Sequence, residues 1–347
     1  MGYKVTKNEL NSVFKELVKC YKIYAPKNFP HQGRYADTDI IRYDKISEVE
    51  EIVFDEKSSY ATKEVYSPIT ETVFYFSDGD YKESRIKDDR PLLIFARSCD
   101  IHSISRYDDI FLKNGGFSDM YYQRMRDKVK FVLMECPSCG WDTCFCVSMG
   151  TNSTDDYVFG IKAESNDNYL IEIKDEELGK YFNGLKTVDF KVSPVVKNDR
   201  DVKIPDITSR NMVNAIKTLD MWNEYNKRCI GCGSCTVACS TCTCFTTYDM
   251  NYTSDSDAGE RRRINASCEV DGFTDMAGGH SFRKSHAERM RFKVMHKIHD
   301  HKKRFATHNM CVGCGRCDDR CPVHISFSTT VNKLANEVER LKSEGVQ

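Results

Sequence analysis

Eight cysteines in two short runs constrain this chain more than any other feature. Cys229, Cys232, Cys235 and Cys239 stand at C-x2-C-x2-C-x3-C spacing, and Cys311, Cys314, Cys317 and Cys321 repeat it, followed by Pro322. A tight turn carrying three thiols two residues apart presents three soft donors to one centre, and a cubane of four irons needs one thiolate on each iron. Zinc sites use paired C-x2-4-C units, so a third cysteine after two further residues, twice over, points to a pair of [4Fe-4S] clusters instead. In two-cluster proteins of this spacing the fourth cysteine of each run ligates the other cluster. The expected sets are therefore Cys229, Cys232, Cys235 with Cys321, and Cys311, Cys314, Cys317 with Cys239. Glycines at 231, 233, 313 and 315 suit loops whose backbone must come close to a cluster, since glycine places no Cβ there.

The remaining cysteines reinforce a metal chemistry. The chain of 347 residues has 17, an odd number clustered at short spacings, which argues against a disulfide framework. Lys and Arg number 51 against 52 Asp and Glu, so no global charge directs the chain to nucleic acid or to an anionic membrane. It contains no run of 18 apolar residues, and its first residues lack the apolar core of a secretory signal. The expectation is a cytoplasmic protein that neither spans a membrane nor binds nucleic acid.

Hydrophobic periodicity divides the chain. Leu10, Val13, Phe14, Leu17, Val18 and Tyr21 predict a first helix over residues 7–24, with the lone Cys20 read as a small buried side chain. Short β-type runs follow at Thr72–Phe76, Leu92–Ala96, Lys130–Met134, Tyr169–Ile173 and Val188–Val192. After Pro205 the pattern is helical: residues 207–225, a segment from Ser285 to about Arg304 opened by a capping-box pair with Glu288, and residues 330–342. The fold class expected is α+β. A mixed α/β domain over residues 1–200 is followed by an α-helical ferredoxin-type domain over residues 205–347.

A second group of cysteines lies just past predicted strand ends, where scaffolds present functional groups. It comprises Cys99 beside Asp100, Cys136 and Cys139 after Glu135, and Cys144 with Cys146. Five thiols predict a further metal site against the alternative of buried free cysteines, and their spacing leaves open which four would serve. Cys242, Cys244 and Cys268 read as thiols packed near the clusters.

Between residues 283 and 304 there are nine Lys and Arg against Glu288 and Asp300, with His286, His296, His299 and His301 among them. Such a stretch can dock an acidic partner, offset the negative charge of thiolate-bound clusters, or form a solvated helix face. The histidines read as surface residues or as neighbours of ligands. No dinucleotide-binding glycine fingerprint and no phosphate-binding loop is present, so electrons are expected to come from a partner.

Taken together, ARSCDIHSI (96–104), CFCVSMGT (144–151), CIGCGSCTVAC (229–239), DGFTDMAGGHSFRKSHAERMRFKV (271–294) and CVGCGRCDDRCPVHISFS (311–328) resemble the A-type iron–sulfur subunits of the anaerobic sulfite reductase family. The cysteine motifs are shared with a wider group, the β subunits of cytoplasmic sulfhydrogenase-type complexes, while the 271–294 stretch resembles the sulfite reductase branch. The resemblance implies a third [4Fe-4S] cluster on Cys99, Cys136, Cys144 and Cys146, with Cys139 spare. That group commonly has proline after the fourth cysteine of the first run; here Ser240 stands there, which is expected to loosen the turn. The implied role is a non-catalytic electron-transfer subunit of an NADH-dependent complex. A flavin subunit oxidises NADH, this subunit relays electrons, and a siroheme subunit reduces sulfite. The alternative is the β subunit of a hydrogenase or sulfhydrogenase.

Overall fold

The computed structural model describes residues 2–84, 88–255 and 257–346. The chain forms two compact units, each discontinuous in sequence. The first contains residues 1–137, 154–194 and 243–266, the second residues 138–153, 195–242 and 267–347. The class is α+β, with the two larger sheets in the first unit and a largely helical second unit.

The first unit is built on an eight-stranded sheet. In chain order its strands are β1 (Gly2–Thr6), β2 (Lys22–Phe29), β3 (Ile40–Lys45), β6 (Leu92–Ala96), β7 (Val129–Met134), β8 (Phe159–Ala163), β9 (Asn168–Ile173) and β10 (Thr187–Val188). The spatial order is β10-β1-β9-β8-β7-β6-β2-β3. The central run β2-β6-β7-β8 is parallel, and the flanking pairs are antiparallel.

All five residues of β6 are buried, as expected of a parallel strand covered on both faces. Leu93, Phe95, Val132 and Met134 face one core with Leu10, Val13, Phe14 and Leu17 of the Lys7–Cys20 helix. Leu92, Ile94, Ala96, Phe131 and Leu133 face the other, against Ile101, Ile104 and Tyr107 of the Ser98–Phe111 helix. Cys20 is the last residue of its helix and is exposed rather than buried, within 3.8 Å of the Tyr181 hydroxyl.

The predicted strand at 72–76 belongs to a separate antiparallel sheet, β11-β12-β4-β5, formed by β4 (Thr70–Ser77), β5 (Asp80–Glu83), β11 (Phe245–Asn251) and β12 (Gly259–Asn265). Pairing of β4 with β12 draws residues 243–266 into the first unit. The units therefore interleave along the chain, in contrast to a sequence division at residues 200–205.

The second unit is helical. The expected 207–225 helix is interrupted: Arg210–Lys217 ends at Thr218, a single turn follows at Asp220–Trp222, and Glu224–Arg228 leads to Cys229. The Trp222 indole N–H donates to the Ile216 carbonyl at 2.8 Å and so satisfies a helix-end acceptor. The capping box at Ser285 and Glu288 opens the His286–Met295 helix, which passes through a π turn at His296–Asp300 and ends with His301–Phe305. Phe327–Ser343 packs Val331, Leu334, Val338 and Leu341 into the core, with Met290, Val294 and Ile298 from the earlier helix. No helix among the described residues is long and apolar enough to cross a membrane.

A candidate iron–sulfur centre with two cavities

Both cysteine runs share one local geometry. Gly231 and Gly313 have φ of +67° and +68°, and Gly233 and Gly315 each have +73°, a left-handed conformation that glycine adopts without a Cβ clash. Gly233 precedes the turn Ser234–Val237 and Gly315 precedes Arg316–Asp319, so each run enters a short helix through a left-handed residue. The Gly231 N–H donates to Cys229 Sγ and the Gly313 N–H to Cys311 Sγ, each at 3.4 Å, and the Ile325 N–H donates to Cys321 Sγ at 3.2 Å.

The glycines of the second run also meet protein rather than open space. A Cβ on Gly313 would lie 2.5 Å from the Phe145 carbonyl oxygen, and one on Gly315 would lie 2.3 Å from that of Thr143. The Phe145 N–H donates to the Gly313 carbonyl at 2.8 Å, so the Thr143–Cys146 segment lies directly on this loop.

Two cavities open between the runs. Cys229, Cys232 and Cys235 line the first together with Cys321, and Glu269, Lys293 and Phe327 are also in its wall. Cys311, Cys314 and Cys317 line the second together with Cys239, alongside Phe145, Thr241, Lys293 and Lys297. Cys317 also borders the first cavity. Each cavity thus meets three thiols of one run and the fourth thiol of the other.

Burial pushes four of these thiols up. Cys235 rises to about 11 and Cys311 to about 12, and Cys229 rises for the same reason. Burial and the adjacent Asp318 carboxylate likewise raise Cys317 well above the ordinary thiol value. At neutral pH such thiols keep their protons until a metal ion displaces them. Three thiols of one run with the fourth of the other at each cavity, N–H groups donating to Cys229, Cys311 and Cys321, and glycines at the turns fit a cubane cluster.

Ser240 follows the fourth cysteine of the first run. It is fully buried, and its hydroxyl stands 3.8 Å from Cys314 Sγ, while the Thr241 hydroxyl stands 3.4 Å from Cys239 Sγ.

Residues 228–325 match the model of a 4Fe-4S dicluster domain. The chain therefore holds more than one [4Fe-4S] cluster. Over 340 residues it is 27% identical to sulfhydrogenase 2 subunit beta of Pyrococcus furiosus, covering 92% of this chain and 94% of that protein. No solved structure matches the chain.

The second group of cysteines is placed in parts. Cys99 lies in the first turn of the helix that follows β6, and Cys136 lies two residues past the end of β7. These neighbouring parallel strands end together, and Arg97 ties the two loops by donating to the carbonyls of Glu135 and Phe54. Cys144 and Cys146 belong to the second unit, where both are buried. Cys146 Sγ stands 3.5 Å from Asn198 Oδ1, and Asn198 Nδ2 donates to the Cys139 carbonyl at 3.0 Å.

The basic stretch at 283–304 is not simply a solvated face. Arg289, Lys293, Lys297 and His301 recur every four residues and are 5%, 4%, 5% and 2% exposed, whereas Lys302, Lys303 and Arg304 are exposed. Sequence reading missed these buried lysines because lysine rarely lies fully inside a protein. Their signal was the four-residue period, coincident with that of the apolar face. His301 is likewise buried, with Nδ1 at 3.1 Å from the His308 carbonyl.

Proposed function

We propose that this chain is the iron–sulfur electron-transfer subunit of a cytoplasmic, flavin-linked oxidoreductase complex of the sulfhydrogenase β type. The observation that carries this reading is the crossed distribution of eight cysteines around two cavities within one hydrophobic core. Cys229, Cys232, Cys235 and Cys321 would hold one cluster, and Cys311, Cys314, Cys317 and Cys239 the other. Bound there, each cubane takes up and releases single electrons. The protein supplies N–H and hydroxyl donors to the sulfurs, an apolar wall and buried positive charge, the features by which cluster potentials are tuned.

A third cluster on Cys99, Cys136, Cys144 and Cys146 is part of the proposal and rests on the sequence resemblance. Iron and acid-labile sulfide of about twelve per chain, the content of three cubanes, would support it, and about eight would remove it.

The similarity to sulfhydrogenase 2 subunit beta over nearly the whole chain favours a hydrogenase-type assembly. In that reading the chain would act in a flavin-linked oxidoreductase with a nickel–iron partner. The second reading, a relay between an NADH-oxidising flavin subunit and a siroheme sulfite reductase subunit, draws support from the 271–294 stretch. Anaerobic isolation of the native complex separates them. A nickel–iron subunit beside this chain supports the first and a siroheme subunit the second, while a chain isolated without any redox partner would overturn both.

A further inference from the structure

Burying an ammonium group costs several kcal/mol unless opposite charge or hydrogen bonds compensate it, so two buried lysines beside the cavities require a reason. Lys293 lines both cavities and Lys297 lines the second. Lys293 shares the wall of the first cavity with Cys235, Glu269 and Cys317, and its ammonium stands 5.6 Å from the Phe327 ring. Lys297 Nζ donates to the Thr241 carbonyl at 3.0 Å and to its hydroxyl at 2.8 Å, and it shares the wall of the second cavity with Cys239 and Cys311. Arg289 differs: it lies on the same stripe but pairs with exposed Asp271 at 2.7 Å, so its charge is met at the surface.

Both lysines are buried against the cavity cysteines, and Lys293 shares its cavity with Glu269 as well. Cysteine ligates iron as the thiolate, so a bound cluster would bring negative charge into these cavities beside the lysines. Reduction then adds further negative charge in a low-dielectric cavity, where a fixed cation favours the reduced form.

We propose that Lys293 and Lys297 are positioning charges that raise the reduction potentials of the clusters, Lys293 acting on both and Lys297 on the cluster of the Cys239, Cys311, Cys314 and Cys317 cavity. The inference rests on the cluster reading above and deepens it. Because Lys293 stands at both cavities, it makes reduction of either cluster easier, while Lys297 separates the two by favouring one.

The test is an anaerobic redox titration followed by electron paramagnetic resonance on the full-length chain, with iron and sulfide measured on every sample. Lys293→Met should lower the reduced-to-oxidised ratio of both clusters at least tenfold at a fixed potential, which is 59 mV for a one-electron couple. Lys297→Met should shift one cluster alone. Lys293→Arg and Lys297→Arg, which keep the charge, should stay within about threefold of wild type. In a Glu269→Gln background Lys293→Met should still lower both, which separates action on the clusters from neutralisation of Glu269.

Met variants with full iron and unmoved potentials would overturn the inference, as would Lys297→Met moving both clusters equally. If Lys293→Met alone loses iron, the Lys297→Met titration decides. Loss of iron from both Met variants would overturn it too, because the lysines would then be holding the fold. A wild-type chain lacking iron and sulfide would instead defeat the cluster reading itself.

Discussion

Gly315 and Thr143 are packed backbone to backbone, so that a methyl group on the glycine would lie 2.3 Å from the Thr143 carbonyl oxygen. Gly315 also has a φ of +73°, which costs a residue with a Cβ about 1–2 kcal/mol before any clash is counted. Gly315→Ala should therefore lower the stability of the second unit by more than that amount. Gly272, also at positive φ but with open space around it, should lose only the backbone cost as Gly272→Ala. Denaturant unfolding of the two variants checks the difference.

The crossed cavities predict which signal each cysteine variant loses. Cys321→Ser should remove the cluster of Cys229, Cys232 and Cys235 and leave the other, and Cys239→Ser should do the reverse. Paramagnetic resonance of the reduced variants distinguishes this from uncrossed ligation, in which Cys321→Ser would remove the signal that Cys311→Ser removes.

Acid should weaken the second unit through His296. Burial, aided by the charge of Lys297 and opposed by Asp300, pushes its pKa down to about 4. An unfolded histidine titrates near 6.5, so at lower pH the unfolded chain binds this proton first. The stabilising contribution is complete above pH 6.5 and is lost as the pH falls toward 4. Thermal unfolding midpoints should drop across that window in the wild type and drop less in His296→Gln.

Much of this architecture was legible in local spacing. The two cysteine runs announce their centres because ligands two residues apart must share a turn, and β6 and β7 read as strands because both their faces are apolar. Three features were not legible. The strand at residues 70–77 finds its partner at 259–265, and no local period encodes pairing over such a separation. The 207–225 helix breaks where the Trp222 side chain takes the Ile216 carbonyl, a tertiary choice over an unbroken apolar period. Lys293 and Lys297 carry the same letters as a solvated face, and only the cavities beside them show that the face is internal.

Phe95 anchors the first unit. It is fully buried, with ring centroids 5.9 Å from Phe14 and 6.0 Å from Phe159. Phe95→Ala should cost about 3–5 kcal/mol through lost burial and the cavity left behind. Guanidinium unfolding followed by circular dichroism should show the fall, and a loss below about 1 kcal/mol would contradict this packing.

The most direct test of the central claim is the iron and acid-labile sulfide content of the anaerobically purified chain. The account predicts at least about eight of each, enough for the two cubanes assigned to the eight cysteines of the paired runs. Stoichiometric zinc with no labile sulfide would contradict it and make the runs a structural metal module.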